Sequence, residues 1–258
     1  MTYSNIIVTT ENRITTIKIN REKALNALNE KTIVELHDCI DQLSQSEDTK
    51  VVVITGVGKK SFIAGADITM FEGKSPTSIR KLILKLQETL NKLEDLPFPV
   101  IASINGYCLG GGIELAMACD LRIASSTAII GQPEIKLGLI PGAGGTQRLS
   151  RIVGTGRAKE IIFLGDNVDA ESAKSFGLVN WVVPPENLEE KTLKIASRLA
   201  KGPSFALNMA KEVINRGPES SLLDAIRMEA ELFALCFAHE DVKEGVNAFL
   251  NKRKPNFK

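Results

Sequence analysis

Short β runs alternate with amphipathic helical segments over most of this chain, and that alternation restricts the fold more than any other feature. The predicted strands lie at 6–10, 14–19, 51–54, 100–104, 121–124 and 128–130, and the predicted helices lie at 30–44, 78–93 and 112–118. Asn29 is placed to cap the first helix, and Pro97 and Pro99 end the second. Since strands and helices interleave up to about Val183, the predicted architecture is α/β.

The pattern changes after Pro184 and Pro185. From 188 to 249 the apolar residues recur at helical spacing, and the sequence predicts no strand there. These helices are rich in Ala, Leu and Phe, so their apolar faces are expected to pack on the α/β core or on another subunit. We therefore divide the chain into a core that carries the site, 1–187, and a helical region, 188–258.

Composition and charge exclude several classes of function. The chain has 258 residues, 43% of them hydrophobic, and no run of eighteen apolar residues, which is typical of a globular protein and not of a membrane protein. A net charge of +1 provides no global field for nucleic acid. The four cysteines are scattered, so we expect reduced thiols and no metal site. The N-terminus lacks a basic and apolar leader, which predicts a cytoplasmic protein.

Three glycine-rich stretches invite a nucleotide-binding interpretation, but the motifs fail. A P-loop at 53–60 is excluded because Val53 stands where the first glycine is needed and Lys60 where Ser or Thr is needed. A dinucleotide fingerprint at 142–147 ends in Gln147 instead of glycine and follows no first strand. The sequence therefore predicts no nucleotide cofactor of these two kinds.

The third stretch, Gly110 to Gly112, follows an apolar strand and opens a short apolar helix. Successive glycines allow the backbone to approach a ligand closely, and N–H groups at a helix start favour developing negative charge. A turn required only by packing is an equal alternative at this point. The small residues from 62 to 68 form a second candidate loop with an exposed backbone N–H, although this signal is weak alone.

Two carboxylates stand in apolar surroundings. Glu114 lies two residues after the glycine run, and Glu134 follows Gln132 and Pro133. A buried acid is costly unless it is paired, protonated or used in chemistry. The alternative for each is simple exposure at the surface. The two histidines, His37 and His239, are interpreted as structural, the first half-buried and the second on a solvated helix face.

Taken in order, these motifs resemble the enoyl-CoA hydratase (crotonase) family over nearly the whole chain. The matching segments are 20–28, 64–68, 105–116, 131–134, 138–149, Glu244-Gly245 and Lys252-Arg253. The resemblance implies a spiral of repeated β-β-α units with a C-terminal helical region that forms a homo-oligomer, a trimer or a dimer of trimers. The resemblance is close to the short-chain hydratases, or 3-hydroxybutyryl-CoA dehydratases, and so implies a role in fatty-acid β-oxidation or butyrate-type metabolism.

The resemblance also implies the roles of the site residues. The N–H groups of Ala66 and Gly111 form an oxyanion hole for the thioester oxygen. Glu114 helps to deprotonate a water that attacks C3, Glu134 delivers a proton to C2, and the N–H of Gly142 helps to place the water. Hydratases of this family carry both glutamates, so the activity implied is reversible syn addition of water to a 2-trans-enoyl-CoA, giving a 3-hydroxyacyl-CoA.

Coenzyme A is part of the substrate in this family, so no separate cofactor is implied. The contacts implied for its adenine and pantetheine parts are Lys23, Ala24, Leu25, Ala64, Asp67 and Ile68. The chain departs from the family at Glu22, where many members have proline, and at Ile130, where phenylalanine often stands. These departures affect the shape of the early loop and the size of the acyl pocket.

Two alternatives remain at this level. A double-bond isomerase of the same family needs the oxyanion hole but only one base. An RNA-binding relative would need a basic helix, for which Arg80, Lys81 and Lys85 are candidates. Acidic residues follow these three charges, which is typical of a solvated helix face, so we expect no nucleic-acid partner.

Overall fold

The computed structural model describes residues 3–257, and the strands and helices that the sequence predicts appear in it in the predicted order, among others that were not predicted. The strands are β1 (Ile6–Glu11), β2 (Ile14–Ile19), β3 (Val51–Gly56), β4 (Ser61–Ala64), β5 (Val100–Ile104), β6 (Tyr107–Leu109), β7 (Leu121–Ser125), β8 (Ile129–Gly131), β9 (Val168–Asp169) and β10 (Trp181–Val183). The α-helices are α1 (Glu30–Leu43), α2 (Pro76–Glu94), α3 (Gly111–Met117), α4 (Gly145–Val153), α5 (Thr155–Leu164), α6 (Ala170–Ser175), α7 (Leu188–Ala200), α8 (Ser204–Arg216), α9 (Leu222–Cys236) and α10 (Glu240–Leu250).

The strands form two sheets. The larger sheet has the order β1-β2-β3-β5-β7-β10, and the smaller has the order β4-β6-β8-β9. Only the β1–β2 and β8–β9 pairs are antiparallel within these sheets, and every other neighbouring pair is parallel. The structure is therefore the α/β fold that the sequence predicts.

A strand-strand-helix unit repeats along the chain. The pairs β3–β4, β5–β6 and β7–β8 each place their first strand in the larger sheet and their second strand in the smaller one. The first pair is followed by α2, the second by α3, and the third by a 3₁₀ turn and then α4. Successive units thus stack side by side, which agrees with the predicted series of β-β-α repeats.

The larger sheet is buried on both faces, which explains its continuous apolar strands. Val52 and Ile54 point into the main core, whereas Val51 and Val53 belong to a second cluster that α7 covers with residues such as Leu188. The helix α7 therefore packs on the sheet although it lies after the predicted boundary at 187.

Local signals act as the sequence predicts at the start of the chain. The β1–β2 hairpin turns at Asn12 and Arg13, which both have positive φ angles of 52° and 64°. The side chain of Asn29 accepts a hydrogen bond from the backbone N–H of Thr32 at 2.9 Å and so caps α1.

A close backbone approach fixes α3 against the smaller sheet. A Cβ atom at Gly112 would lie 2.2 Å from the carbonyl oxygen of Ile63, so only glycine fits. This approach brings the start of α3 next to the residues that follow β4, and those two segments carry the predicted N–H donors.

The helices α8 to α10 follow the α/β core. Lys211 of α8 joins them to it, because its Nζ donates to Asp120 Oδ2 at 2.9 Å and to the carbonyl oxygen of Phe98 at 3.2 Å. Between residues 3 and 257, no helix is long and apolar enough to cross a membrane.

Candidate active site

The carboxylate of Glu114 is buried on the first turn of α3, with only 3% of the residue exposed. Its Oε1 accepts hydrogen bonds from two backbone N–H groups, those of Ala143 at 2.7 Å and Gly145 at 2.8 Å. A buried carboxylate is costly without such donors, so the 143–145 loop is what permits Glu114 to lie here. A Cβ atom at Gly145 would lie 2.8 Å from the same Oε1, which explains the glycine.

Two opposing effects act on the pKa of Glu114. Burial raises the pKa above its usual value, and this effect dominates. The N–H groups of Gly145 and Ala143 and the positive charge of Arg148 lower it. The hydrogen bonds therefore favour the ionised form in a place where desolvation disfavours it.

The second carboxylate, Glu134, lies in the 3₁₀ turn Pro133–Leu137 and reaches over the glycine run. A Cβ atom at Gly110 would lie 2.8 Å from Glu134 Oε1, so this glycine, with φ of 50°, leaves room for the carboxylate. Gln132 is buried, and its side-chain amide takes the orientation in which both its oxygen and its nitrogen have suitable partners. In that orientation the amide nitrogen donates to Glu134 Oε2 at 2.9 Å and to Oε1 at 3.1 Å.

Burial raises the pKa of Glu134 to about 7, and the negative charge of Glu114 adds to the effect. The two acids are thus electrostatically coupled, and their surroundings differ. Glu114 has two backbone donors that stabilise its charge, whereas Glu134 is easily protonated near neutral pH. Two neighbouring acids with raised pKa values and different surroundings are typical of acid/base sites.

Two backbone N–H groups lie side by side next to the carboxylates. Gly111 opens α3, and a Cβ atom on it would lie 3.9 Å from the nitrogen of Ala66. The residues on either side of Ala66 form backbone hydrogen bonds with Leu28. Leu28 N–H donates to Gly65 O at 2.9 Å, and Asp67 N–H donates to Leu28 O at 2.7 Å. Within the described part of the chain, the N–H groups of Ala66 and Gly111 donate to no protein group.

The predicted coenzyme A contacts come together along one edge of this site. The loop that holds Lys23, Ala24 and Leu25 is joined to the end of β4, because Ala64 N–H donates to Leu25 O at 3.1 Å. Lys23 and Leu25 are exposed, and so is Ile68. The early loop and the residues after β4 are therefore adjacent in space.

Asp67 is the one member of this group whose side chain is already engaged. Its Oδ1 accepts from Thr69 Oγ1 at 2.6 Å, and its Oδ2 accepts from Arg21 Nη2 at 2.9 Å. These hydrogen bonds hold the pKa of Asp67 below its usual value. The carboxylate thus fastens the early loop to the segment after β4.

The loop around Gly142 contains functional groups that the sequence did not reveal. The carbonyl oxygen of Gly142 accepts from Gln87 Nε2 at 2.6 Å. The next residues, Ala143 and Gly145, anchor Glu114, and Gln132 anchors Glu134. The paired glycines at 144 and 145 were a signal for an unusual loop, but nothing in the sequence indicated which side chain that loop would contact.

Neither histidine touches the carboxylates. The ring of His37 packs between α1 and α2, with Nδ1 at 3.1 Å from Thr89 Oγ1. His239 also has a structural role, although it lies at a helix start and not on a helix face: it caps α10 and stacks on Phe205.

Comparison with known proteins gives a consistent result. The family model described as enoyl-CoA hydratase/isomerase matches residues 9–258. A crotonyl-CoA hydratase of Syntrophomonas wolfei is 45% identical over 100% of this chain and 99% of its own length. A short-chain-enoyl-CoA hydratase of Clostridium acetobutylicum is 44% identical, covering 98% of this chain and 97% of that protein. The crystal structure of an enoyl-CoA hydratase from Bacillus anthracis superposes with a TM-score of 0.95 at 41% identity, covering 99% of each chain.

Proposed function

The chain belongs to the enoyl-CoA hydratase/isomerase family, and from this premise we propose that it is a hydro-lyase that adds water reversibly to a 2-trans-enoyl-CoA. The observation that carries the proposal is the pair of coupled carboxylates, Glu114 and Glu134, next to two free backbone N–H groups. An isomerase needs only one base beside the N–H groups, so the second carboxylate favours hydration.

In the proposed reaction, the thioester oxygen accepts hydrogen bonds from the N–H groups of Ala66 and Gly111. As Glu114 accepts a proton from water, the water oxygen forms a bond to C3, and the electrons of the C2–C3 double bond move toward the thioester oxygen. The two N–H groups stabilise the resulting enolate. Glu134 then gives its proton to C2, which yields the 3-hydroxyacyl-CoA.

The different surroundings of the two acids support this division of roles. Glu114 can act as a base because the N–H groups of Ala143 and Gly145 stabilise its ionised form. Glu134 can act as an acid because its pKa is raised to about 7. In the dehydration direction the roles reverse, so that protonated Glu114 supplies the proton for the leaving water and ionised Glu134 removes the proton from C2.

The substrate side of the proposal rests on the early loop. We place the coenzyme A part along Lys23, Ala24 and Leu25 and along the segment from Ala64 to Ile68, with the contacts of Asp67 made by its backbone. Because coenzyme A is itself part of the substrate, the reaction needs no resident cofactor or metal. Coenzyme A thioesters are intracellular metabolites, so we also propose a cytoplasmic location.

Hydration rates on a series of 2-enoyl-CoA thioesters test this function. The loss of ultraviolet absorbance of the conjugated thioester reports each rate. We expect activity to be highest with the four-carbon substrate, since the two relatives above are named for crotonyl-CoA and short-chain substrates. No absorbance loss at any chain length, together with rapid conversion of 3-enoyl-CoA to 2-enoyl-CoA, would contradict it.

A further inference from the structure

One face of α2 supports the loop that anchors Glu114. Ile83, Gln87, Asn91 and Glu94 are spaced at four, four and three residues, which places them on one side of the helix. Ile83 packs against Gly142, since its Cδ1 lies 3.3 Å from the position that a Cβ atom on this glycine would take. Gln87 holds the carbonyl oxygen of Gly142 at 2.6 Å.

The C-terminal part of the same face binds Arg148, and Arg148 in turn binds the backbone of the 143–145 loop. Nη2 of Arg148 donates to Asn91 Oδ1 at 2.7 Å and to Glu94 Oε2 at 2.6 Å, and Nη1 donates to the carbonyl oxygen of Ala143 at 3.3 Å. A Cβ atom at Gly144 would lie 2.4 Å from the Arg148 Nη1 atom, so the guanidinium lies directly against the loop backbone.

The hydrogen bond of Gln87 reaches Glu114 through a single peptide group. The carbonyl of Gly142 and the N–H of Ala143 belong to the same planar amide, so fixing the oxygen also fixes the direction of the N–H. Gln87 donates to that oxygen, and the N–H donates to Glu114 Oε1 at 2.7 Å. Hydrogen bonds at the two ends of one amide also polarise each other.

We propose that Gln87 is a positioning residue for hydration, which acts on Glu114 through the peptide group between Gly142 and Ala143. It touches neither carboxylate. It keeps the Ala143 N–H directed at Glu114. It also holds Gly142 in place, and we assign to the N–H of Gly142 the role of positioning the attacking water. This inference rests on the proposed hydratase function.

Loss of the Gln87 hydrogen bond has a defined consequence for the ionisation of Glu114. A less well directed Ala143 N–H stabilises the carboxylate less, so the pKa of Glu114 rises further. The charged groups that act on Glu114 are Arg148 and Glu134, and replacing Gln87 with an uncharged residue adds or removes no charge near them. The acidic limb of the hydration profile therefore moves to higher pH.

The test compares Gln87→Met, which keeps the length of the side chain but cannot donate, with Lys81→Met on the exposed side of the same helix. For Gln87→Met we expect kcat to fall about tenfold, the scale of one hydrogen bond, with KM changed by less than about twofold. The acidic limb of its kcat profile should move up by roughly half a pH unit or more. Lys81→Met should behave as the unsubstituted protein.

A double substitution separates action through Glu114 from general loss of packing. In a Glu114→Gln background, Gln87→Met should lower kcat by less than about twofold, because groups that act as a unit are not additive. A tenfold loss in both backgrounds would overturn the proposal. A Gln87→Met variant with normal kcat, or with a change in KM alone, would also overturn it. The same holds if Gln87→Met loses activity with a lowered melting temperature while the acidic limb of its pH profile does not move.

Gln87→Glu gives a second measurement if the methionine variant is poorly folded. Its ionised carboxylate cannot donate to the carbonyl oxygen, so activity should fall as that carboxylate ionises, and activity that is unaffected by its ionisation would refute the inference. An unsubstituted protein without any hydration activity would defeat the proposed function itself, and that result is obtained before any Gln87 variant is measured.

Discussion

At the scale of single residues, glycines decide where the two acids can lie. A carboxylate oxygen of Glu134 lies only 2.8 Å from the position that a Cβ atom at Gly110 would take, and one of Glu114 lies equally close to the Cβ position at Gly145. The apolar surroundings raise the pKa of each acid, and the backbone donors to Glu114 make the two different. The proposed acid/base pair thus depends as much on absent side chains as on the glutamates.

Replacing Gly111 with proline tests the oxyanion hole. Proline removes the N–H but is tolerated at the first position of a helix, so the fold should persist. We expect turnover to fall at least about 100-fold, the usual scale for one oxyanion donor. Gly156→Pro, in the first turn of α5, is the matched control and should retain its activity. Near-normal turnover of a folded Gly111→Pro variant would refute the assignment of this donor.

The raised pKa of Glu134 predicts the direction of the pH dependence. Hydration needs protonated Glu134, so kcat/KM for hydration should fall above about pH 7, where this group loses its proton in the free enzyme. Dehydration uses the same pair with its one proton on Glu114, and the hydration equilibrium does not depend on pH, so kcat/KM for dehydration should fall in parallel over the same range. Rates measured in both directions from pH 5 to pH 9 check this, and a hydration profile that is flat to pH 9 would disagree with it.

At the scale of elements, the sequence predicted those that are long or strongly patterned. The β1–β2 hairpin, α1, β3, α2, β5, α3 and β7 all lie where the periodicity places them, within about two residues at most of their ends. Asn29 caps α1 as expected. The general α/β architecture therefore follows from local sequence patterns alone.

The smaller sheet was not predicted as a sheet. Its strands β4 and β6 have four and three residues, and their paired residues, such as Ala64 and Leu109, lie about 45 positions apart in the sequence, so no local pattern identifies them. The segment that includes β4 was instead interpreted as a loop. That interpretation still predicted an exposed backbone N–H in this segment, and the family resemblance assigned it to Ala66, which lies just beyond the strand end.

The hydrogen bonds that position Glu114 and Gly142 could not be predicted from the sequence either. Glu114 is anchored by residues 29 and 31 positions away, and Gln87 lies 55 positions from Gly142. Such contacts depend on the path of the loop and not on any local pattern. The resemblance to a known family supplied the roles of Glu114 and Glu134, whereas the burial that raises the pKa of both acids, and the backbone donors that only Glu114 has, required the structure.

At the scale of the whole molecule, the C-terminal helices expose unusually large apolar surfaces. None of the residues of α9 is buried, and Leu222 and Phe233 are 77% and 67% exposed. Phe249 of α10 is 83% exposed. So many large exposed apolar side chains on neighbouring segments are typical of an interface between subunits.

We therefore predict a homo-oligomer, either a trimer or a dimer of trimers. Light scattering in solution should return about three or six times the 28.0 kDa mass of one chain. Replacing both Leu222 and Phe233 with serine should shift the mass toward the monomer, since their apolar contacts with a neighbouring subunit would be lost. A mass of one chain for the unsubstituted protein would show that the exposed faces have another use.

The whole account depends on two carboxylates that act together, and their amide variants test it most directly. Glu114→Gln and Glu134→Gln keep the size of each side chain and remove its titration. Each should lower hydration by about 100-fold to 10,000-fold, the usual contribution of one acid/base group. The double variant should be little worse than the poorer single one, because the pair acts as a unit. Thioester binding should survive in all three, since the oxyanion donors are backbone groups. Full hydration by Glu114→Gln, with rapid 3-enoyl to 2-enoyl isomerisation that depends on Glu134 alone, would show that the protein is an isomerase and contradict the account.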